Sequence, residues 1–189
     1  AERRAAMRVH ALRHGQSEYN LLHLCNDDPA QPVALTPIGR EQAIHAAKRL
    51  DGLGIERIYA SPLPRARETA AIVGAHVGAP VVVDPRLADI RSGCEGRPVA
   101  EYQAAIAHDP LHARPHGGES LLDHRARVSG FLDWLAVQPH AVVALVAHEE
   151  TLRALEGIAE KLPAEATVDR AFGNCAVYSF ELWSGIGSG

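Results

Sequence analysis

Short runs rich in apolar and β-branched residues alternate along the chain with longer stretches whose apolar positions recur at helical spacing. Residues 8–12, 57–60, 81–83, 141–147 and 175–180 have the length and composition of strands. The run at 141–147 is apolar throughout, as expected of a strand buried on both faces. Between the strands, Thr36 is placed to cap a helix with Pro37 in its first turn, running to about Leu53, with Gly52 and Gly54 as stop signals. Pro64 opens a second helix that continues to about Val77. Leu121, Leu122, Val128, Leu132 and Leu135 mark a third over 121–137, ended by Gln138 and Pro139. A further helix is expected to follow His148. Strands alternating with helices predict an α/β fold, a three-layer α/β/α sandwich whose central sheet is mainly parallel.

No internal repeat, low-complexity tract or linker breaks this alternation, so residues 1–189 are expected to form a single domain. The first six residues and residues 184–189 read as frayed tails. The chain is 47% apolar and 22% charged, with a formal net charge of −4. That balance, with arginines scattered rather than clustered, argues against a nucleic-acid partner. No apolar run approaches membrane-spanning length, and the short polar stretch before Met7 does not resemble a signal peptide. Cys25, Cys94 and Cys175 form no short-spaced pair, which fits a reducing, cytoplasmic setting.

In an open α/β sheet, ligands gather at the carboxyl ends of the strands, and the reactive residues of this chain fall there. Arg13, His14 and Gly15 follow the first strand, residues 61–65 the second, and His148 the long apolar strand. His14 supplies an imidazole nitrogen, and Arg13 a guanidinium that can fork onto two phosphate oxygens. Gly15 brings backbone close to a ligand without a side chain in the way. Arg65 and Arg67 both lie in the first turns of the helix after the second strand. Two helical residues apart they point about 200° from one another, so only one faces the strand ends. His148 offers a second imidazole beside helix N-terminal amides.

The chain resembles the histidine phosphatase superfamily, also called phosphoglycerate mutase-like. The resemblance rests on the strings at residues 13–20, 35–43 with Thr36 and Gly39, 61–70, 117–120 and 146–152, in the family's order and spanning about 9–180. It implies a metal-independent, cofactor-free phosphoryl transfer in two steps. His14 would be the nucleophile that becomes a phosphohistidine, and Arg13, Arg65 and His148 would hold the phosphate oxygens. Asn20, Gln16, Ser17 and Glu149 are expected at the substrate mouth. Asn20 either donates to phosphate or fixes its own loop.

Two positions depart from the family pattern. Its proton-donating glutamate is replaced by Asp89, the same acid on a shorter stem, which is expected to need a raised pKa. Glu95 is the rival donor. Glu149 stands where the family often has glycine after its second histidine, and is read as pointing outward or as an alternative donor. His108, His112 and His116 recur every four residues, but Pro110 and Pro115 interrupt the helix that a metal-binding reading would need. With Arg97 and Arg114 they are expected on a loop over the cleft, gripping the non-reacting end of the substrate. The function expected is a phosphomonoesterase acting on a small phosphate ester. The alternatives are a phosphoglycerate mutase and an inactive phospho-ligand binding module. Self-association as a homodimer is left open.

Overall fold

A computed structural model describes residues 6–184; most of the two expected tails lies outside the described residues. Five strands form one sheet: β1 (Met7–Arg13), β2 (Arg57–Ala60), β3 (Val81–Val83), β4 (Val142–Ala147) and β5 (Val177–Leu182), in the order β3-β2-β4-β1-β5. Every neighbouring pair is parallel except β1 with β5, which gives the mainly parallel sheet expected. Six α-helices among the described residues accompany it: α1 (Glu18–Leu22), α2 (Pro37–Leu50), α3 (Pro64–Val77), α4 (Val99–Ile106), α5 (Leu121–Leu135) and α6 (Glu149–Ala159). No helix among the described residues is long and apolar enough to cross a membrane.

Alternation along β4 sorts the core into two halves. Val143 and Leu145 face a cluster built with Val128, Phe131, Leu132 and Leu135 of α5 and Leu152 and Leu155 of α6. Ala144 and Val146 face the other, built with Ala43, Ala46 and Leu50 of α2 and Ala66, Ala70 and Val73 of α3. The second half is rich in alanine, which brings α2 and α3 close to the sheet and to each other. Burying a large side chain such as Phe131 contributes on the order of 2–3 kcal/mol, so the α5 side carries more stabilisation per residue.

Local chemistry sets the helix ends. The Thr36 hydroxyl accepts from the Gly39 amide at 3.0 Å and Pro37 occupies the first turn, so α2 starts where expected. It stops at Leu50, three residues short of the expectation, because Asp51 is already extended and Gly52 takes a left-handed φ of 76°. Helix α3 ends on Gly78 in the left-handed conformation, as a C-terminal glycine predicts. Strand β5 begins two residues later than the pattern suggested, since Cys175 has a φ of 58° and its amide turns back to the Arg13 carbonyl at 3.0 Å. The loop expected to carry Arg97, Arg114 and the three spaced histidines is interrupted by α4, a two-turn helix between Arg97 and His108.

Candidate active site

Strand register delivers the reactive residues to one place. Arg13 pairs with Ala147 and Ala60 with Val146, so His14, His148 and Ser61 leave the sheet side by side from β1, β4 and β2. The His14 amide still bonds the Ala147 carbonyl, and the Ser61 amide the Val146 carbonyl, both at 3.0 Å. The two imidazoles stand with ring centroids 5.2 Å apart. Arg65, from the first turn of α3, is buried between them, while Arg67 is exposed.

A guanidinium can only donate, and this fixes both histidine tautomers. Arg65 Nε–H donates to His14 Nε2 at 3.1 Å, so His14 Nδ1 carries the proton and donates it to the Gly15 carbonyl at 2.6 Å. Arg65 Nη2 donates to His148 Nδ1 at 3.2 Å, so His148 Nε2–H donates to Ser61 Oγ at 2.7 Å. Burial, and after it the positive charge of Arg65, hold both imidazoles well below the usual histidine range. His14 is therefore neutral, with its Nε2 lone pair aimed into the centre of the cluster.

Asp89 reaches that centre despite its short stem. Its Oδ2 accepts from Arg65 Nη2 at 3.1 Å and lies 3.7 Å from His148 Nδ1, while Oδ1 accepts from the Ile90 amide at 2.8 Å. Burial raises its pKa, with Arg65 opposing. A buttress sets its position: Arg127 donates to the carbonyls of Arg86 and Ala88 at 2.8 and 2.9 Å and to that of Asp89 at 3.2 Å. Arg127 is gripped in turn by the buried Glu119 carboxylate at 2.8 and 2.9 Å. The 117–120 string thus shapes the backbone carrying Asp89. Glu95 is turned elsewhere, accepting from Asn26 Nδ2 at 2.8 Å and the Asp27 amide at 2.5 Å.

Arg13 is oriented by Phe172 O at 2.5 Å and by Glu149 Oε2 at 3.4 Å, while its Nε is buried without a partner. Glu149 neither points away nor stands free. It also accepts from the Phe172 amide at 2.9 Å and from Arg153 at 3.3 Å, so the residue that departs from glycine braces Arg13 against the 172 loop. Ser17 caps α1, its hydroxyl accepting from the Asn20 amide at 3.2 Å. Asn20 Oδ1 returns the bond to the Ser17 amide at 2.9 Å and takes a second from Asn174 at 3.3 Å. The side chain therefore fixes its own loop while standing on the cleft wall.

Three expectations fail. Gln16 does not line the cleft, because its Oε1 accepts from the Thr36 hydroxyl at 2.8 Å. Arg114 is held by Asp123 at 2.5 and 2.8 Å, and Arg97 lies by Glu101 and His116; neither lines the cleft. His108, His112 and His116 do not line it either, and no group of three or more His, Cys, Asp or Glu among the described residues is placed to hold a metal ion. Gly15 proves to serve packing: a Cβ there would collide with the Gly39 carbonyl, and one on Gly39 with the Gln16 carbonyl. This mutual approach of the loop after β1 and the first turn of α2 explains why both strings carry glycine.

Sequence reasoning missed Asn26, whose side-chain oxygen and carbonyl both receive Arg65, the latter at 2.8 Å. It also missed Thr69, whose hydroxyl accepts from the Gly15 amide at 3.1 Å. Thr69 lies one helical turn after Arg65, a spacing that could have flagged it; Asn26 sits in a loop with no local signal. Beyond the cluster opens a cleft of about 630 Å³, walled by α4 and the start of α6.

Comparison with known proteins agrees with this architecture. A family model described as the histidine phosphatase superfamily (branch 1) matches residues 9–187. A glucosyl-3-phosphoglycerate phosphatase from Mycolicibacterium vanbaalenii is 34% identical over 84% of this chain and 76% of its own. A protein named probable phosphoglycerate mutase GpmB, from Cronobacter sakazakii, is 29% identical over 90% of this chain and 83% of its own. Among solved structures, a putative alpha-ribazole-5'-P phosphatase from Escherichia coli superposes with a TM-score of 0.84 at 27% identity, covering 94% of this chain and 91% of that one. A mycobacterial glucosyl-3-phosphoglycerate phosphatase in complex with VO3 gives a TM-score of 0.79 at 33% identity, with 92% and 90% covered. With the family pattern running nearly end to end over a fold of this topology, the chain belongs to the histidine phosphatase superfamily.

Proposed function

We propose that this protein is a phosphomonoesterase that hydrolyses a small phosphate ester through a phosphohistidine on His14. The observation that carries the reading is the neutral His14, its Nδ1 proton bound to the Gly15 carbonyl and its Nε2 lone pair facing the Arg65 donor. A phosphoryl group entering there takes the place of the His14–Arg65 contact. Nε2 then attacks phosphorus and the P–O bond to the alcohol breaks. The charge on the non-bridging oxygens rests on Arg13 and Arg65, so the reading calls for no metal. Asp89, its carboxyl raised by burial, gives its proton to the departing oxygen. As a carboxylate it next takes a proton from water, whose oxygen attacks phosphorus; the P–N bond breaks, its electron pair returns to His14 Nε2, and inorganic phosphate leaves.

His148 is given the role of donor to phosphate. In the ligand-free arrangement its Nδ1 accepts from Arg65, but the Ser61 hydroxyl can donate as well as accept. A dianion can therefore draw the His148 proton to Nδ1 while Ser61 reverses its bond. Ser17, Asn20 and Glu149 are assigned to shaping the mouth; Gln16 is withdrawn from it.

The reading extends to a single domain working in a reducing cytoplasm, supported by three buried free thiols, Cys25, Cys94 and Cys175. A homodimer has one feature in its favour, the edge strand β3 with three exposed valines, and light scattering on the purified protein tests it. Catalysis is tested by quenching in alkali, which preserves the acid-labile P–N bond, after mixing with para-nitrophenyl phosphate, with mass spectrometry of the phosphoenzyme. His14→Ala is expected to lose the adduct and about 10³-fold or more in kcat. Turnover like the wild type in that variant would overturn the proposal. Release of isomerised ester rather than inorganic phosphate from a phosphoglycerate would favour the mutase alternative.

A further inference from the structure

The cleft beyond the phosphate position has a definite chemistry. Three guanidiniums line it, and each already faces a carboxylate: Arg65 with Asp89 at 3.1 Å, Arg13 with Glu149 at 3.4 Å, and Arg153 with Glu150 at 2.9 Å. Arg153 is shared further, lying 3.3 Å from Glu149 and within electrostatic reach of Asp169. Asp27 and Asp169 bring the carboxylates on the lining to five against three guanidiniums. Since Arg13 and Arg65 are needed by the phosphate, Arg153 is the one guanidinium left for the rest of the substrate among the described lining residues, and two carboxylates bond it.

The opposite wall is α4, which turns Val99, Tyr102, Gln103 and Ile106 toward the cleft at spacings of three, one and three, a single helical face. The Tyr102 hydroxyl and the Gln103 amide make no hydrogen bond within the described residues, so both are free for a ligand. Tyr102 also feels Glu150 and Asp89, whose negative charge adds to burial in raising its pKa. Phosphate arrives with about two negative charges. A second anionic group on the same molecule would meet Glu150 and Asp169, with no unshared cation among the described residues on the lining to receive it.

We propose that the alcohol released by this enzyme carries no second phosphate or carboxylate: it is an uncharged or cationic, partly apolar group, seated on the α4 face and discriminated by Glu150 and Asp169. This rests on the phosphatase reading for the position of the phosphate, and it narrows the substrate class. It sets this chain apart from any relative whose named substrate is a phosphoglycerate, because such a substrate brings a carboxylate to the same cleft.

The test separates binding from turnover. Propylphosphonate and 3-phosphonopropionate share the phosphorus end and chain length and differ by one carboxylate, and neither is hydrolysed. Calorimetric titration of the intact enzyme is expected to show propylphosphonate binding at least tenfold more tightly. Glu150→Gln frees Arg153 from one partner and should cut that ratio at least threefold, mainly by improving the carboxylate ligand. Among esters, glycerol 1-phosphate should exceed 3-phosphoglycerate at least tenfold in kcat/KM, chiefly through KM. Equal or tighter binding of 3-phosphonopropionate by the wild type, or a ratio unmoved by Glu150→Gln, overturns the inference. Discrimination in binding without hydrolysis of any ester would support it and overturn the phosphatase reading alone.

Discussion

The phosphate cage and the α4 wall face each other across one cleft, yet they are built by opposite means. The cage grows from the ends of β1, β2 and β4, its histidines and Arg65 are almost fully buried, and Arg65 alone bonds His14, His148, Asn26 and Asp89. The wall is a two-turn helix with no fully buried residue, carrying polar tips that make no hydrogen bond within the described residues. A group that must meet the same phosphate in every turnover is held by strand register and saturated hydrogen bonding. A surface that selects the rest of the ligand is left half-buried and unsaturated, so changing it costs the fold little.

The comparison is broken most severely by removing the cage's acid. Asp89→Asn keeps the shape but cannot donate a proton, and kcat for an alkyl phosphate is expected to fall about 10²–10⁴-fold. The loss should shrink for para-nitrophenyl phosphate, whose leaving group needs no proton; equal losses on both esters would remove Asp89 from the acid role.

A second effect follows from burying neutral imidazoles. His14 and His148 lie well below the histidine value of 6.5, and His124 of α5 is pushed down to about 3, burial being the chief cause in each. In the window between those values and about 6.5 the unfolded chain binds more protons than the folded one. Their contribution is thus fully present above pH 6.5 and is lost as the pH falls toward the folded values. Asp89, raised by burial, acts in the opposite sense. Urea unfolding at pH 7 and pH 5 should show the loss, on the order of 2 kcal/mol for His124 alone. His124→Leu should flatten the dependence, and a stability that does not fall toward pH 5 would contradict this account.

The smallest effect is expected outside both regions. Arg114 bonds Asp123 on the surface away from the cleft, so Arg114→Ala should leave kcat/KM within about twofold of the wild type. A larger drop would mean that the wall extends further than α4.

Much of the cage was legible in the primary structure because its parts are local. A histidine one residue past an apolar strand, and an arginine one residue past a helix-opening proline, are positioned by the elements they terminate. Legibility ended where position depends on pairing between distant segments. Asn26 has no local pattern, and Gly39 is explained only by the loop of Gln16 approaching it. Arg97, Arg114 and Arg153 are alike as residues. Arg153 reaches the cleft from α6, while Arg97 and Arg114 flank α4, a helix in a stretch whose apolar pattern is too short to announce one.

The amino-acid sequence by itself determined the layered α/β order, the strand ends as the place of chemistry and that only one of Arg65 and Arg67 can face them, since each follows from periodicity along one element. The tertiary structure alone decided that Arg65 stands between the two histidines, that Glu149 braces Arg13, and that Glu119 and Arg127 deliver the short Asp89 stem. Those outcomes rest on contacts between residues up to 136 positions apart in the chain, where electrostatics and steric fit act through space and leave no periodic trace.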